Sequence, residues 1–304
     1  MNNACWIVPT HEPRFDAFTT FVESFDHFCE GIDLVVVLSY QNEVALYEQY
    51  SEMNIKFIFL EDYFDDEDIE LFIDCKSIVL VKKFLSMRIM AKEYEKLVVT
   101  DDETELLSKV SADLIMEYDN HHFYYHSING YFLERFLSDP VRLLEKHDRN
   151  IIQENFVKPR LYNWFRDLPI YNGDQIDGML SRFGLNENNW AVHVSFELFE
   201  HILYQYHIFI ESPDDLQLYV YDWDPKYCGP TGNCWESGYA DSFGIKYLKE
   251  DFENSKPLWV ADSSLLKLCP SAIAVFHTDR NYRAFNLRLK RWIRTLLDRL
   301  GISI

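Results

Sequence analysis

The chain has 304 residues, enough for one large α/β domain or two small ones sharing a sheet. Its net charge of −21 argues against nucleic acid as a partner, because a phosphate backbone would be repelled, although a nucleotide stays acceptable if a metal ion stands between its phosphates and the carboxylates. No stretch approaches ~20 consecutive apolar residues, so no membrane-spanning helix is expected. The opening MNNACWIVPTHEPRF lacks the basic-then-apolar order of a secretory leader, and the six scattered cysteines fit reduced thiols, so a cytoplasmic protein is expected.

In chain order, residues 5–8 read as a buried strand, 9–13 as a loop bounded by prolines, and 15–28 as a helix. The run IDLVVVLS at 32–39 is β-branched and continuously apolar, as in a strand covered on both faces. Residues 43–53 have a helical pattern and 55–60, IKFIFL, form another strand. Apolar residues recur at helical spacing over 82–95, and 97–99 is a strand ending at Thr100-Asp101-Asp102-Glu103. This alternation predicts a doubly wound, mostly parallel sheet, whose ligands sit beyond the carboxyl ends of the strands. The loops at 10–14 and 100–105 belong to that edge. From about residue 106 the pattern becomes irregular and rich in Tyr, Phe, Trp and His, with turn signals at 171–174 and 186–189.

The chemistry concentrates in VVTDDETE at 98–105, where an apolar strand delivers three consecutive carboxylates to the crevice. If the chain stays extended, Asp101 and Glu103 share one side and Asp102 faces away. Two hard oxygen donors on one side suit Mg²⁺ or Mn²⁺, which would keep waters and take its remaining contacts from a diphosphate. The plainer reading is an acidic turn that ends a strand.

The segment VKKFLSMRIMAKEYEKLVVTDDETELL at 81–107 resembles the donor-site segment of GT-A glycosyltransferases, in which a lysine-bearing helix leads into a strand ending in an Asp-x-Asp motif. Here Glu103 stands where the last Asp would be. IVPTHEPRF at 7–15 looks like the first strand and nucleotide-binding loop of that fold. The resemblance implies a GT-A-like α/β fold with 1–110 as the nucleotide-sugar half, 111–279 as an acceptor-binding or lid half of the same domain, and 280–304 as a basic amphipathic C-terminal helix. It places Thr10, His11 and Glu12 against the nucleoside, and Lys83 or Arg88 toward the phosphates. Asp102 is counted with these cofactor-side residues. Asp101 and Glu103 become metal ligands, with UDP-sugar as the expected donor. A solvated helix face is the competing expectation for Lys83 and Arg88, and Lys82 should point elsewhere on the helix.

AVFHTDR at 274–280 again ends an apolar strand in a histidine, and some GT-A enzymes return a C-terminal histidine to the metal; His277 is the candidate, against a merely structural role. The loop YDWDPKYCGPTGNCWESGYADSFG at 221–244 holds Glu236 between Trp235 and Tyr239. WESGY resembles the acceptor segment of capsule and lipopolysaccharide transferases, which makes Glu236 the expected general base, with Asp222 and Asp224 as rivals. The segment RNYRAFNLRLKRWIRTLLDRL at 280–300 places Phe285, Leu289, Trp292, Ile293, Leu296 and Leu300 at helical spacing among basic residues. It fits either an anchor on anionic lipid or a helix docked on the acidic body.

Two other functions are compatible with this pattern. A sugar-nucleotide nucleotidyltransferase would want a glycine-rich loop after the first strand, and PTHEPRF has no glycine. A non-catalytic carbohydrate-binding protein would use the aromatic second half and bind neither metal nor nucleotide.

Overall fold

The computed structural model describes residues 2–106, 109–116, 122–127, 131–159, 161–162, 170–186, 189–213, 217–221 and 275–277. Asp222, Asp224, Glu236 and the segment 280–304 lie outside the described residues.

The first half follows the strand order read from the sequence, but residues 66–74 form a helix that was not expected, and the helix expected over 82–95 runs Ile78–Met90, with residues 94 and 95 already in the next strand. Strand β1 is Asn2–Pro9, helix α1 Phe15–Phe28, β2 Asp33–Leu38 and β3 Ile55–Phe59, with a 3-10 helix, Gln41–Tyr50, between β2 and β3. Helices α2, Asp66–Asp74, and α3, Ile78–Met90, lead to β4, Tyr94–Val99, and then to the short β5, Thr104–Leu106. Helix α1 has Phe18, Phe21, Val22 and Phe25 on its buried stripe, the i, i+3, i+4, i+7 pattern of a one-faced helix. Helix α2 is capped by Asp65, whose carboxylate accepts from the Asp68 amide at 2.9 Å.

The central sheet has the order β6-β4-β1-β2-β3, where β6 is Ile170–Asn172. Strands β1 to β4 are parallel, and β6 adds an antiparallel edge beside β4. The sheet is therefore mixed and mostly parallel. Alternate side chains feed two cores: Cys5, Ile7, Val35, Val37, Leu97 and Val99 face one, while Trp6, Val8, Leu34, Val36 and Val98 face the other. Each fully buried Val, Leu or Ile contributes roughly 1.5–3 kcal/mol, so a sheet covered on both faces is the main stabilising feature.

Among the described residues beyond 106 the structure is more regular than the sequence suggests. Residues 170–174 do not form a turn: they end β6 and begin helix α4, Gly173–Arg182, which packs with α5, Glu200–Glu211. A separate three-stranded sheet joins Gln217–Tyr221, His122–Ser127 and Leu161–Tyr162. The last described strand, β7, Val275–His277, pairs antiparallel with β5. Among the described residues, no helix is long and apolar enough to cross a membrane.

Candidate functional site

Strand order makes the crevice. The chain lays β2 and β3 on one side of β1, then returns to put β4 on the other. The loops leaving β1 and β4 thus diverge at their carboxyl ends, where doubly wound sheets bind ligands. Backbone bonds carry the ladder just past both strands: the Thr10 amide donates to Val37 O and the Thr100 amide to Ile7 O, each at 3.1 Å. Trp6, fully buried, donates its indole N–H to Thr100 Oγ1 at 2.8 Å and ties the two exits together.

The acidic segment is a turn, with the Thr104 amide donating to Asp101 O at 3.2 Å. The extended-chain expectation therefore fails: Asp101 pairs with Lys83 and Glu103 with Arg14. Asp102 and Glu103 instead meet around Arg14. The guanidinium donates to Asp102 Oδ1 from Nε at 3.2 Å and from Nη2 at 2.9 Å, and Nη2 also pairs with Glu103. Thr10 Oγ1 donates to Asp102 Oδ2 at 2.8 Å. Burial pushes the Asp102 carboxyl up, against the pull of Arg14 and Thr10. Asp101 turns the other way, toward Lys83.

Helix α3 explains the difference. It is buried nearly all round, including Lys82 and Lys83, so the solvated-face expectation for Lys83 is wrong. The helix packs across the sheet, and two adjacent residues about 100° apart reach different strand exits. Lys82 donates to Thr10 O at 2.6 Å, so it points into the crevice rather than away from it. Burial lowers it to about 8, and Glu43 and Asp102 limit the fall. Lys83 Nζ lies 3.0 Å from Asp101 Oδ1 and 3.0 Å from Glu200 Oε1, the first residue of α5. Burial disfavours its charge, but Asp101 and Glu200 more than reverse this and raise it. Its ammonium is occupied by these carboxylates rather than extended toward phosphates. Arg88 lies five residues beyond Lys83, about 1.5 turns and ~8 Å along α3, toward the opposite edge of the sheet.

The remaining predicted residues divide. Thr10 is buried in the crevice wall, His11 is partly buried, and Glu12 is exposed. Burial, then Lys82 and Arg14, lower His11 to about 4, so its imidazole is neutral near pH 7. Antiparallel pairing sets His277 opposite Thr104, so the end of β7 comes back beside the acidic turn; the side chain of His277 is not among those described.

Arg14, Lys82 and Glu200 were not among the sequence candidates. Two lysines in an otherwise apolar helix, IVLVKKFL, are the signal for the second of these. Glu200 had a weaker one, an acid opening an apolar helix.

The donor set can be tested against a divalent cation. Among the described residues, four carboxylates (Asp101, Asp102, Glu103, Glu200) meet the two cations Arg14 and Lys83, which leaves two negative charges before Lys82 is counted. The Asp101 side chain is 31% exposed and that of Glu103 15%. Among the described residues, no three His, Cys, Asp or Glu side chains are grouped to hold a metal. Asp101 and Glu103 are not ready-made partners on one side, since Lys83 holds one and Arg14 the other; each could give a single oxygen to Mg²⁺ or Mn²⁺ only with waters and a ligand's phosphates supplying the rest.

No family model matches the chain, and no curated protein matches it. Among solved structures, it is similar to S. aureus TarS, with 13% sequence identity and a TM-score of 0.38. The match covers 74% of this chain and 36% of the TarS chain. A likeness at that level decides no reaction, so the chemistry has to be read from the residues of the site.

Proposed function

We propose that the chain is a metal-dependent glycosyltransferase of the GT-A type, moving a sugar from a nucleoside diphosphate to a hydroxyl of a glycan or lipid-linked acceptor. The observation that carries this reading is the junction of two strand exits: Thr10 and Arg14 after β1 are bonded to Asp102 and Glu103 after β4. A nucleotide lying along the first loop would thereby bring its pyrophosphate to the acidic turn.

Thr10 and His11 line the nucleoside side of the crevice, where a neutral His11 serves as a hydrogen-bond partner and adds no charge. Lys82 holds the carbonyl of Thr10 and so fixes the loop. Arg14 sets Asp102 and Glu103. Asp101 and Glu103 would hold Mn²⁺ or Mg²⁺, with His277 as a third ligand. The cation, when bound, neutralises charge on the departing nucleoside diphosphate. Glu236, with Asp222 and Asp224 as alternatives, takes the proton of the attacking hydroxyl. The basic segment at 280–300 suits contact with an anionic membrane surface, where a lipid-linked acceptor would be found.

A screen of nucleotide sugars for Mn²⁺-dependent donor hydrolysis, run beside Asp101→Ala, tests this. UDP-sugars should be turned over by the wild type, and the variant should lose at least a hundredfold while melting within a few degrees of it. Wild-type rates in Asp101→Ala would remove the assignment.

A further inference from the structure

We propose that Lys83 is a positioning residue: its buried ammonium holds Asp101, while Glu200 supplies its counter-charge, so that helix α5 of the second half sets the pose of the acidic turn. The consequence for metal binding rests on the function proposed above; the strut itself rests on geometry.

Three elements distant in sequence meet at one nitrogen. Lys83 comes from α3, Asp101 from the exit of β4 and Glu200 from the first turn of α5, with both oxygens 3.0 Å from Nζ. The two carboxylates are not equivalent. The Glu200 side chain is 2% exposed, whereas that of Asp101 opens to the crevice. Glu200 stands in the first turn of its helix and accepts from Lys83 through Oε1, while its Oε2 is buried with no hydrogen-bond partner among the described residues.

The charge count gives the pair its purpose. A lysine bound to Asp101 alone would orient it and also cancel its charge, leaving a poor ligand for a cation. With Glu200 as the second carboxylate, the lysine's charge is offset from the buried side, so it does not by itself cancel that of the partly exposed Asp101. A buried ion pair with no further role is often replaced by apolar residues of similar size at little cost. Positioning and simple packing therefore predict different results for the same replacement.

The test uses the full chain. In Lys83→Met/Glu200→Leu the buried charges leave together, so the melting temperature should stay within a few degrees of wild type. Hydrogen exchange over residues 100–104 should nevertheless rise about tenfold, because the turn loses the group that fixes Asp101. Unchanged exchange there in the folded double variant overturns the proposal. Glu200→Gln, which preserves shape and one acceptor, should keep the turn protected while lowering Mn²⁺ affinity in the presence of UDP about tenfold. Unaltered Mn²⁺ affinity in that variant overturns the counter-charge role, and with it the proposal, should the double variant not fold. If wild type itself binds no Mn²⁺ with UDP, the function reading falls, and exchange in the double variant decides the strut on its own.

Discussion

Lys82 is held in the fold at a cost, and its replacement should reveal it. The residue is 2% exposed, and burial lowers its ammonium from 10.5 to about 8. That drop corresponds to about 3 kcal/mol by which the charged form is disfavoured in the fold near pH 7. Between 8 and 10.5 the unfolded chain binds more protons than the folded one, so wild-type stability should rise with pH across that window and lose this dependence above it. Lys82→Met keeps the length and removes the charge, but it also gives up the bond to Thr10 O, worth about 1–2 kcal/mol. The net expectation at pH 7 is a variant about 1 kcal/mol more stable, melting roughly 2 °C higher. The advantage should vanish near pH 9 and reverse by pH 10.5, where the variant should be about 2 kcal/mol the less stable, because the neutral wild-type lysine no longer carries the burial cost and keeps its bond to Thr10 O. Nucleotide affinity should fall in the same variant, because the Thr10 carbonyl loses its anchor. Thermal unfolding of both proteins from pH 7 to 10.5 makes the comparison, and other groups titrating there cancel in the difference. A difference that stays constant with pH, or a variant that loses several kcal/mol at pH 7, would refute this reading of Lys82.

Other parts of the fold give equally concrete expectations. Trp6→Phe removes the buried bond to Thr100 Oγ1 and part of a fully buried ring; denaturant unfolding should show a loss of about 2–3 kcal/mol. A Cβ on Gly173 would lie 2.4 Å from Tyr94 O, a backbone atom that cannot swing aside, so Gly173→Ala should cost about 2–3 kcal/mol by displacing α4 from β4. His207 is lowered from 6.5 to about 4 by burial and then by Arg182, whose Nε donates to its Nδ1 at 3.1 Å. Stability should therefore fall as pH drops from 6.5 through 4, and His207→Gln should flatten that limb of the acid unfolding curve.

The sheet was legible because its strands are β-branched runs buried on both faces, and helix α1 was read to its residue limits because its phenylalanines repeat at helical spacing. The carboxylate cluster was equally visible as composition. Its geometry was not, since strand alternation was carried one residue too far: the chain turns at Asp101, which separates Asp101 from Glu103 and gives Glu103 to Arg14. Lysines on a helix normally mark a solvated face, a rule that fails for Lys82 and Lys83 because α3 is buried nearly all round. Their partners are a carbonyl 72 residues away and a carboxylate 117 residues away, separations to which no local periodicity is sensitive. Likewise, His277 stood out as a histidine ending an apolar run, but its pairing partner, Thr104, emerges only from the return of the chain to β5.

Calorimetric titration of the full chain with UDP, in the presence and absence of Mn²⁺, bears most directly on the reading of the crevice. Binding should be saturable with Mn²⁺ and weaken at least tenfold without it, since two carboxylates in a net-negative crevice repel a bare pyrophosphate. Equal affinity in both conditions, or no binding in either, would contradict the assignment of Asp101 and Glu103 as the residues through which a metal holds the nucleotide.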